Sequence, residues 1–210
     1  MAKLFKQELQ AIGSFFKRNY REIVIIGLAT LFLTVAGYHP IGPPWVSSLI
    51  YFAVLPILTI IILRRNPLDF GLRLGNFKVW GFYVIVTLIV ALPILYVASR
   101  SSALAQYYTI QKFDVVKYCL ETTVYLFAWE FIFRGFLLFG LKDKLKESSI
   151  LVQMVPFVLV HFGKPEIETI STILTGIYFG YIAYRGNSYW PAFIMHLFIN
   201  IVFLIFVNIL

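Results

Sequence analysis

Residues 127–141 read FAWEFIFRGFLLFGL. Glu130 and Arg134 stand four residues apart in a run that is otherwise aromatic, aliphatic or glycine. That spacing is close to one helical turn, so both charges project from one face. At membrane depth each charge costs roughly 2.5–3.5 kcal/mol on insertion scales, and such residues are usually functional. The reading of this stretch therefore depends on whether the surrounding chain is a membrane protein. The 210 residues are 60% hydrophobic, 18% aromatic and only 13% charged. A soluble domain is about 45–50% apolar and about 25% charged. The chain reads as an all-α, polytopic membrane helical bundle.

Charge and cysteine content narrow the class further. The net charge of +8 comes from Lys and Arg placed in short groups between apolar runs, not on one basic face. That pattern favours anionic lipid headgroups and excludes nucleic acid as the expected partner. The single cysteine, Cys119, excludes an intrachain disulfide and a cysteine-based zinc site.

Outward from the opening stretch, six to seven spans are expected, each needing about 20 apolar residues. They are Ile23–Tyr38, Trp45–Leu63, Val79–Ala98, Tyr118–Leu141, Ile150–Phe162, Ile170–Tyr184 and Trp190–Leu210. The fifth and sixth are short for lipid-facing helices and suit burial in a bundle. Pro56 and Pro93 fall inside spans, where neighbouring groups can satisfy the freed carbonyl. Residues 1–22 mix Lys and Arg with Leu4, Phe5, Leu9, Ile12, Phe15 and Phe16, as expected of an amphipathic helix in the membrane interface. Residues 23–98 then form the N-terminal spans and 116–204 a core. Lys and Arg concentrate in the N-terminal segment and in the connections 64–78 and 142–146, which predicts a cytoplasmic N-terminus. The expected setting is a bacterial-type plasma membrane.

Further polar residues fall within the apolar runs. His161 ends the fifth span, and His196 and Asn200 form a second pair four residues apart in the seventh. At 1.5 Å per residue, Glu130, His161 and Asn200 lie roughly 15–17 Å from the Leu141, Ile150 and Trp190 ends of their helices. They are therefore expected in one slab of the membrane. For each residue there is a structural alternative: a packing ion pair for Glu130 and Arg134, an interfacial histidine for His161, and interhelical hydrogen bonds for His196 and Asn200. Taken together, Glu and His are suited to activating water, and His with Asn to stabilising an oxyanion.

These residues resemble the CAAX protease and bacteriocin-processing family, also called the Abi family, of intramembrane endopeptidases. The family's marks are Glu-Glu-x-x-x-Arg, Phe-x-x-x-His and His-x-x-x-Asn or Asp. Phe157 with His161 and His196 with Asn200 match the second and third, and "FRGFLL" and "YRGNSYWPAFIMH" are similar to family members. The first motif is met by Glu130 and Arg134, but Trp129 stands where its first glutamate belongs. The resemblance covers roughly 116–200.

It implies hydrolysis of a peptide bond near the membrane, with Glu130, Arg134, His161, His196 and Asn200 as catalytic residues. Membrane lipids and a peptide or membrane-anchored protein are the implied partners. Eukaryotic relatives act on prenylated CAAX proteins, and bacterial relatives are linked to bacteriocin maturation and self-immunity. The family is labelled a metalloprotease, which makes His161, His196 and Glu130 the candidate ligands of a divalent metal, zinc. The other mechanism is water activated by glutamate and histidine. Because Trp129 cannot accept a proton, three readings stand: Glu130 takes over, Glu166 or Glu168 folds back into the site, or the chain is a non-catalytic membrane binding or immunity protein.

Overall fold

The computed structural model describes residues 1–210, and every element in it is helical. The helices are α1 (Ala2–Arg18), α2 (Tyr20–Tyr38), α3 (Pro44–Ile62), α4 (Phe77–Ser99), α5 (Ser102–Tyr108), α6 (Val115–Leu145), α7 (Ser148–Leu159), α8 (Glu166–Gly186) and α9 (Trp190–Asn208). A single 3₁₀ turn, Pro67–Asp69, interrupts the connection from α3 to α4. Local chemistry sets several ends. Asn76 and Asp114 cap α4 and α6 by accepting from the amides of Val79 and Lys117. Asn187 closes α8 in the left-handed conformation.

Five helices are long and apolar enough to cross a membrane: α2, α3, α4, α6 and α9. The expected fifth and sixth spans differ from these. The fifth is α7, with 12 residues. The sixth is α8, whose 21 residues begin with Glu166 and Glu168 and end near Arg185, which lowers its apolar character. A helix not expected from the sequence, α5, lies in the connection between α4 and α6.

The helix α6 is the axis of the bundle. Its 31 residues are 72% buried over their most apolar window, against 11% for α4. At 1.5 Å per residue α6 is about 46 Å long, well over the ~30 Å hydrocarbon core. Two helices contain π-helical segments, Leu49–Val54 in α3 and Phe131–Leu137 in α6. In α3 the wider turn precedes Pro56, whose ring would otherwise meet the carbonyl four residues back.

Polar contacts sort the connections into two ends. At one end Lys144 Nζ donates to Arg18 O (3.4 Å) and Asn19 Oδ1 (3.3 Å). There Arg65 also pairs with Asp143 (3.3 Å), and Lys142 Nζ reaches Asn187 Oδ1 (3.0 Å). The basic connections 64–78 and 142–146 therefore share this end. At the other end the α4–α6 connection meets the tail of α9, where Ile110 N donates to Asn208 Oδ1 (2.7 Å).

Gly176 and Gly180 allow α7 and α8 to approach closely. A Cβ on Gly180 would lie 2.5 Å from Gln153 Nε2, and one on Gly176 3.0 Å from Met154 Cγ and 3.2 Å from Phe157 Cδ1. This small-xxx-small pair is the usual route to close helix contact in lipid. Gln153 uses the approach, donating to Ile150 O and Gly176 O at 2.8 Å each. Gly180→Val is expected to cost ~1–3 kcal/mol by overpacking. Thermal unfolding in detergent would register the loss. Gly27, where an added Cβ would meet nothing within 4 Å, is the control position and should tolerate valine.

Candidate active site at the junction of α6, α7 and α9

Glu130 and Arg134 lie on the face of α6 that is turned into the bundle, and neither side chain has any exposure. Arg134 belongs to the π-helical segment, and Glu130 immediately precedes it. Such segments recur at functional sites because the wider turn re-aims side chains. Arg134 Nη1 is 3.1 Å from both Glu130 oxygens, but only the bond to Oε1 is well directed. The other two guanidinium nitrogens are buried without a hydrogen-bond partner. Aromatic faces surround the cation instead: its central carbon stands 3.9 Å over the Phe157 ring and 5.7 Å from that of Phe179. A desolvated cation over an aromatic face gains about 2 kcal/mol or more.

His196, on α9, completes the cluster. Its Nδ1 donates to Glu130 Oε1 at 2.6 Å, and 17% of its side chain is exposed. A carboxylate only accepts, so this contact puts the ring proton on Nδ1 and leaves Nε2 with a free lone pair. His161, two residues beyond α7, is set in a similar way by a backbone group: Nδ1 donates to Phe157 O at 2.6 Å. The Phe157 ring links the two histidines, with centroids 4.7 Å from His161 and 6.2 Å from His196.

The expected site residues thus separate into groups. Glu130, Arg134 and His196 are in direct contact, and His161 adjoins them through Phe157. Of the two histidines, it is His196 that contacts Glu130 directly. Trp129 is the reason His161 has an aromatic neighbour on this side: its indole lies 6.2 Å from the His161 ring, edge-on, and also packs on Tyr125 and Phe52. Asn200 is held elsewhere, its Oδ1 accepting from Tyr118 OH near the start of α6. Tyr118 lies about 18 Å along the helix from Glu130. Glu166 is exposed. Glu168 is not free to fold back, since it accepts from Tyr108 OH (2.6 Å) and pairs with Lys164 (2.8 Å).

The candidate zinc ligands do not form a metal site. No group of three His, Cys, Asp or Glu side chains is placed to hold an ion. Glu130 Oε1 and His196 Nδ1 are engaged with each other, and His161 Nδ1 is engaged by Phe157 O. A catalytic zinc usually has three protein ligands and an open position.

Sequence reasoning missed Tyr118, Tyr108 and the cation–π role of Phe157. The last had a signal: Phe157 stands one turn before His161, so its ring and its carbonyl both reach the same neighbourhood.

The fold and site define a polytopic helical membrane protein with an acid–base pair buried in its bundle. Residues 114–202 match a family model described as type II CAAX prenyl endopeptidase Rce1-like, and this segment runs from the start of α6 into α9. Over this segment, less than half of the chain, the protein is similar to the CAAX-type family, a family of proteases. No curated protein and no solved structure matches the chain.

Arg134→Met tests the ion pair. Removing one partner of a buried pair costs roughly 3–5 kcal/mol, because the other charge is left uncompensated. A large drop in melting temperature in detergent is expected. The double variant Arg134→Met with Glu130→Gln, which leaves no lone charge, should recover much of it. An unchanged melting profile in the single variant would contradict the pairing.

Proposed function

We propose that the chain is an intramembrane endopeptidase of the CAAX type in which His196, backed by Glu130, activates the hydrolytic water. The observation that carries this reading is the 2.6 Å contact between His196 Nδ1 and Glu130 Oε1, with Glu130 buried and Arg134 beside it. A carboxylate behind an imidazole holds the ring in one tautomer and stabilises the imidazolium that forms in the reaction. His196 Nε2 takes a proton from water as the water oxygen adds to the peptide carbonyl carbon. The same nitrogen then returns the proton to the amide nitrogen as the C–N bond breaks. His161 Nε2, also a free acceptor, holds the second water proton. Arg134 offsets the charge that Glu130 brings into an apolar setting. No metal step enters this scheme.

The substrate is a peptide or membrane-anchored protein cut near the membrane. The end of the bundle that gathers the basic connections faces the cytoplasm, because Lys and Arg resist translocation. A single cysteine placed at Leu74 in a Cys119→Ser background should be labelled by an impermeant reagent only after cells are opened. Labelling of intact cells would reverse the orientation.

A second reading rests on Trp129. Its indole fills the side of His161 where the family motif has a glutamate, and the fold then serves peptide or lipid binding, or immunity, without cleavage. Cleavage of membrane-anchored peptides by purified protein separates the two. Under the protease reading, Glu130→Gln and His196→Ala lose at least ~100-fold in rate, the usual scale of general acid–base catalysis. Glu168→Gln, which loosens only the brace to Tyr108 and Lys164, retains cleavage. An inert parent that gains activity only as Trp129→Glu would establish the non-catalytic reading.

A further inference from the structure

The helix α1 has no buried residue, although it carries some of the largest apolar side chains in the chain. Phe5, Leu9, Ile12 and Phe16 recur at helical spacing as one stripe, exposed by 68%, 53%, 51% and 54%. Lys3, Gln10, Ser14 and Lys17 recur at the same spacing on the opposite side, with Lys6 and Arg18 flanking them. A 17-residue helix with this charge load cannot cross a bilayer. It is also not free to leave one. Only Asn19 separates α1 from α2, which is apolar and long enough to cross, and Asn19 N donates to Phe15 O at 3.0 Å. Lys144, from the end of α6, donates to Arg18 O and to Asn19 Oδ1 and so clasps this joint. The root of α1 is thereby held at the end of the bundle where Arg65, Lys142 and Lys144 also gather.

We propose that α1 is a binding surface for anionic phospholipid, lying in the interface of the leaflet at the basic end, with its Phe5–Phe16 stripe among acyl chains and its lysines at lipid phosphates. The stripe supplies the apolar area and the opposite face the charge complementarity, the two contributions that govern interfacial helices. Glu8, one turn from Leu4 and from Ile12, borders the stripe and opposes insertion there. The proposal is independent of whether the chain cleaves peptides.

The test uses the full chain in nanodiscs, in a Cys119→Ser background, with a spin label at Ile12→Cys or at Ser14→Cys. Discs are made of phosphatidylcholine alone or of phosphatidylcholine with phosphatidylglycerol, one copy per disc. With phosphatidylglycerol, the label at 12 should collide with oxygen dissolved in the acyl region and the label at 14 with an aqueous nickel chelate. Replacing Lys3, Lys6 and Lys17 by glutamine should lower the inserted-to-free ratio roughly fivefold per cation, the equivalent of ~1 kcal/mol for each basic residue at an anionic surface. Glu8→Gln should raise it. Equal aqueous exposure at 12 and 14 in both lipids overturns the proposal. So does protection at 12 that is the same with and without phosphatidylglycerol, or that appears only when a disc holds two copies, which would make a second chain the occupant.

Discussion

A charge removed from water must be compensated where it sits, and Glu130 and Arg134 impose that constraint on the rest of the bundle. The two charges neutralise each other on one face of α6. Each then needs a further partner from another helix. Glu130 takes a hydrogen bond from His196 on α9, and Arg134 takes the face of Phe157 on α7. The helices α7 and α9 are therefore tied to α6 by polar and cation–π contacts that lipid cannot replace. The close approach of α7 to α8 at Gly176 and Gly180 has the same end, because it sets the depth at which Phe157 stands. A buried pair of this kind is weak evidence for stability, since hydrophobic replacements are often as good. What the pair does at the junction of three helices is fix the ring of His196 through Glu130.

The two histidines illustrate how a helical membrane protein can orient a ring without spending a second charge. His196 is set by a carboxylate, His161 by the carbonyl of Phe157 one turn before it. A carbonyl near the end of α7 lacks an intrahelical donor, so the histidine satisfies it while being fixed by it. Trp129 then sets the surroundings of His161. Its indole lies over the edge of His161 and stacks on Tyr125, which makes this side of the site aromatic instead of acidic.

Much of this was legible in the sequence, for identifiable reasons. Apolar runs and basic connections exposed the helical membrane architecture, because lipid permits few alternatives. The separation of four between Glu130 and Arg134, and between His196 and Asn200, marked helix faces. Partners across helices were not legible. Helical rise alone put Asn200 level with Glu130, but Tyr118 holds it, and only the tilt and rotation of α9 against α6 determine that. Glu168 looked available because the sequence does not show that Tyr108, 60 residues earlier, returns to meet it. The shortness of α7 was visible, but its close seat against α8 depends on the two glycines in "GIYFG", whose effect appears only once the neighbouring helix is in place.

The π-helical segment in α6 has a consequence for how such a chain can change over evolutionary time. A π turn holds more residues than an α turn, so Phe131–Leu137 acts as a local insertion that the helix absorbs without breaking. The halves of α6 on either side of it keep separate rotational phases. Loss of one residue within the segment would convert it towards a plain α-helix and rotate the Trp129–Glu130 half by about 100° relative to the rest. That single event would exchange which side chain faces α9 while leaving the spans, the caps and the basic connections intact. Position 129 therefore differs from the family pattern in a helix where an indel, as well as a substitution, changes which residue a motif presents.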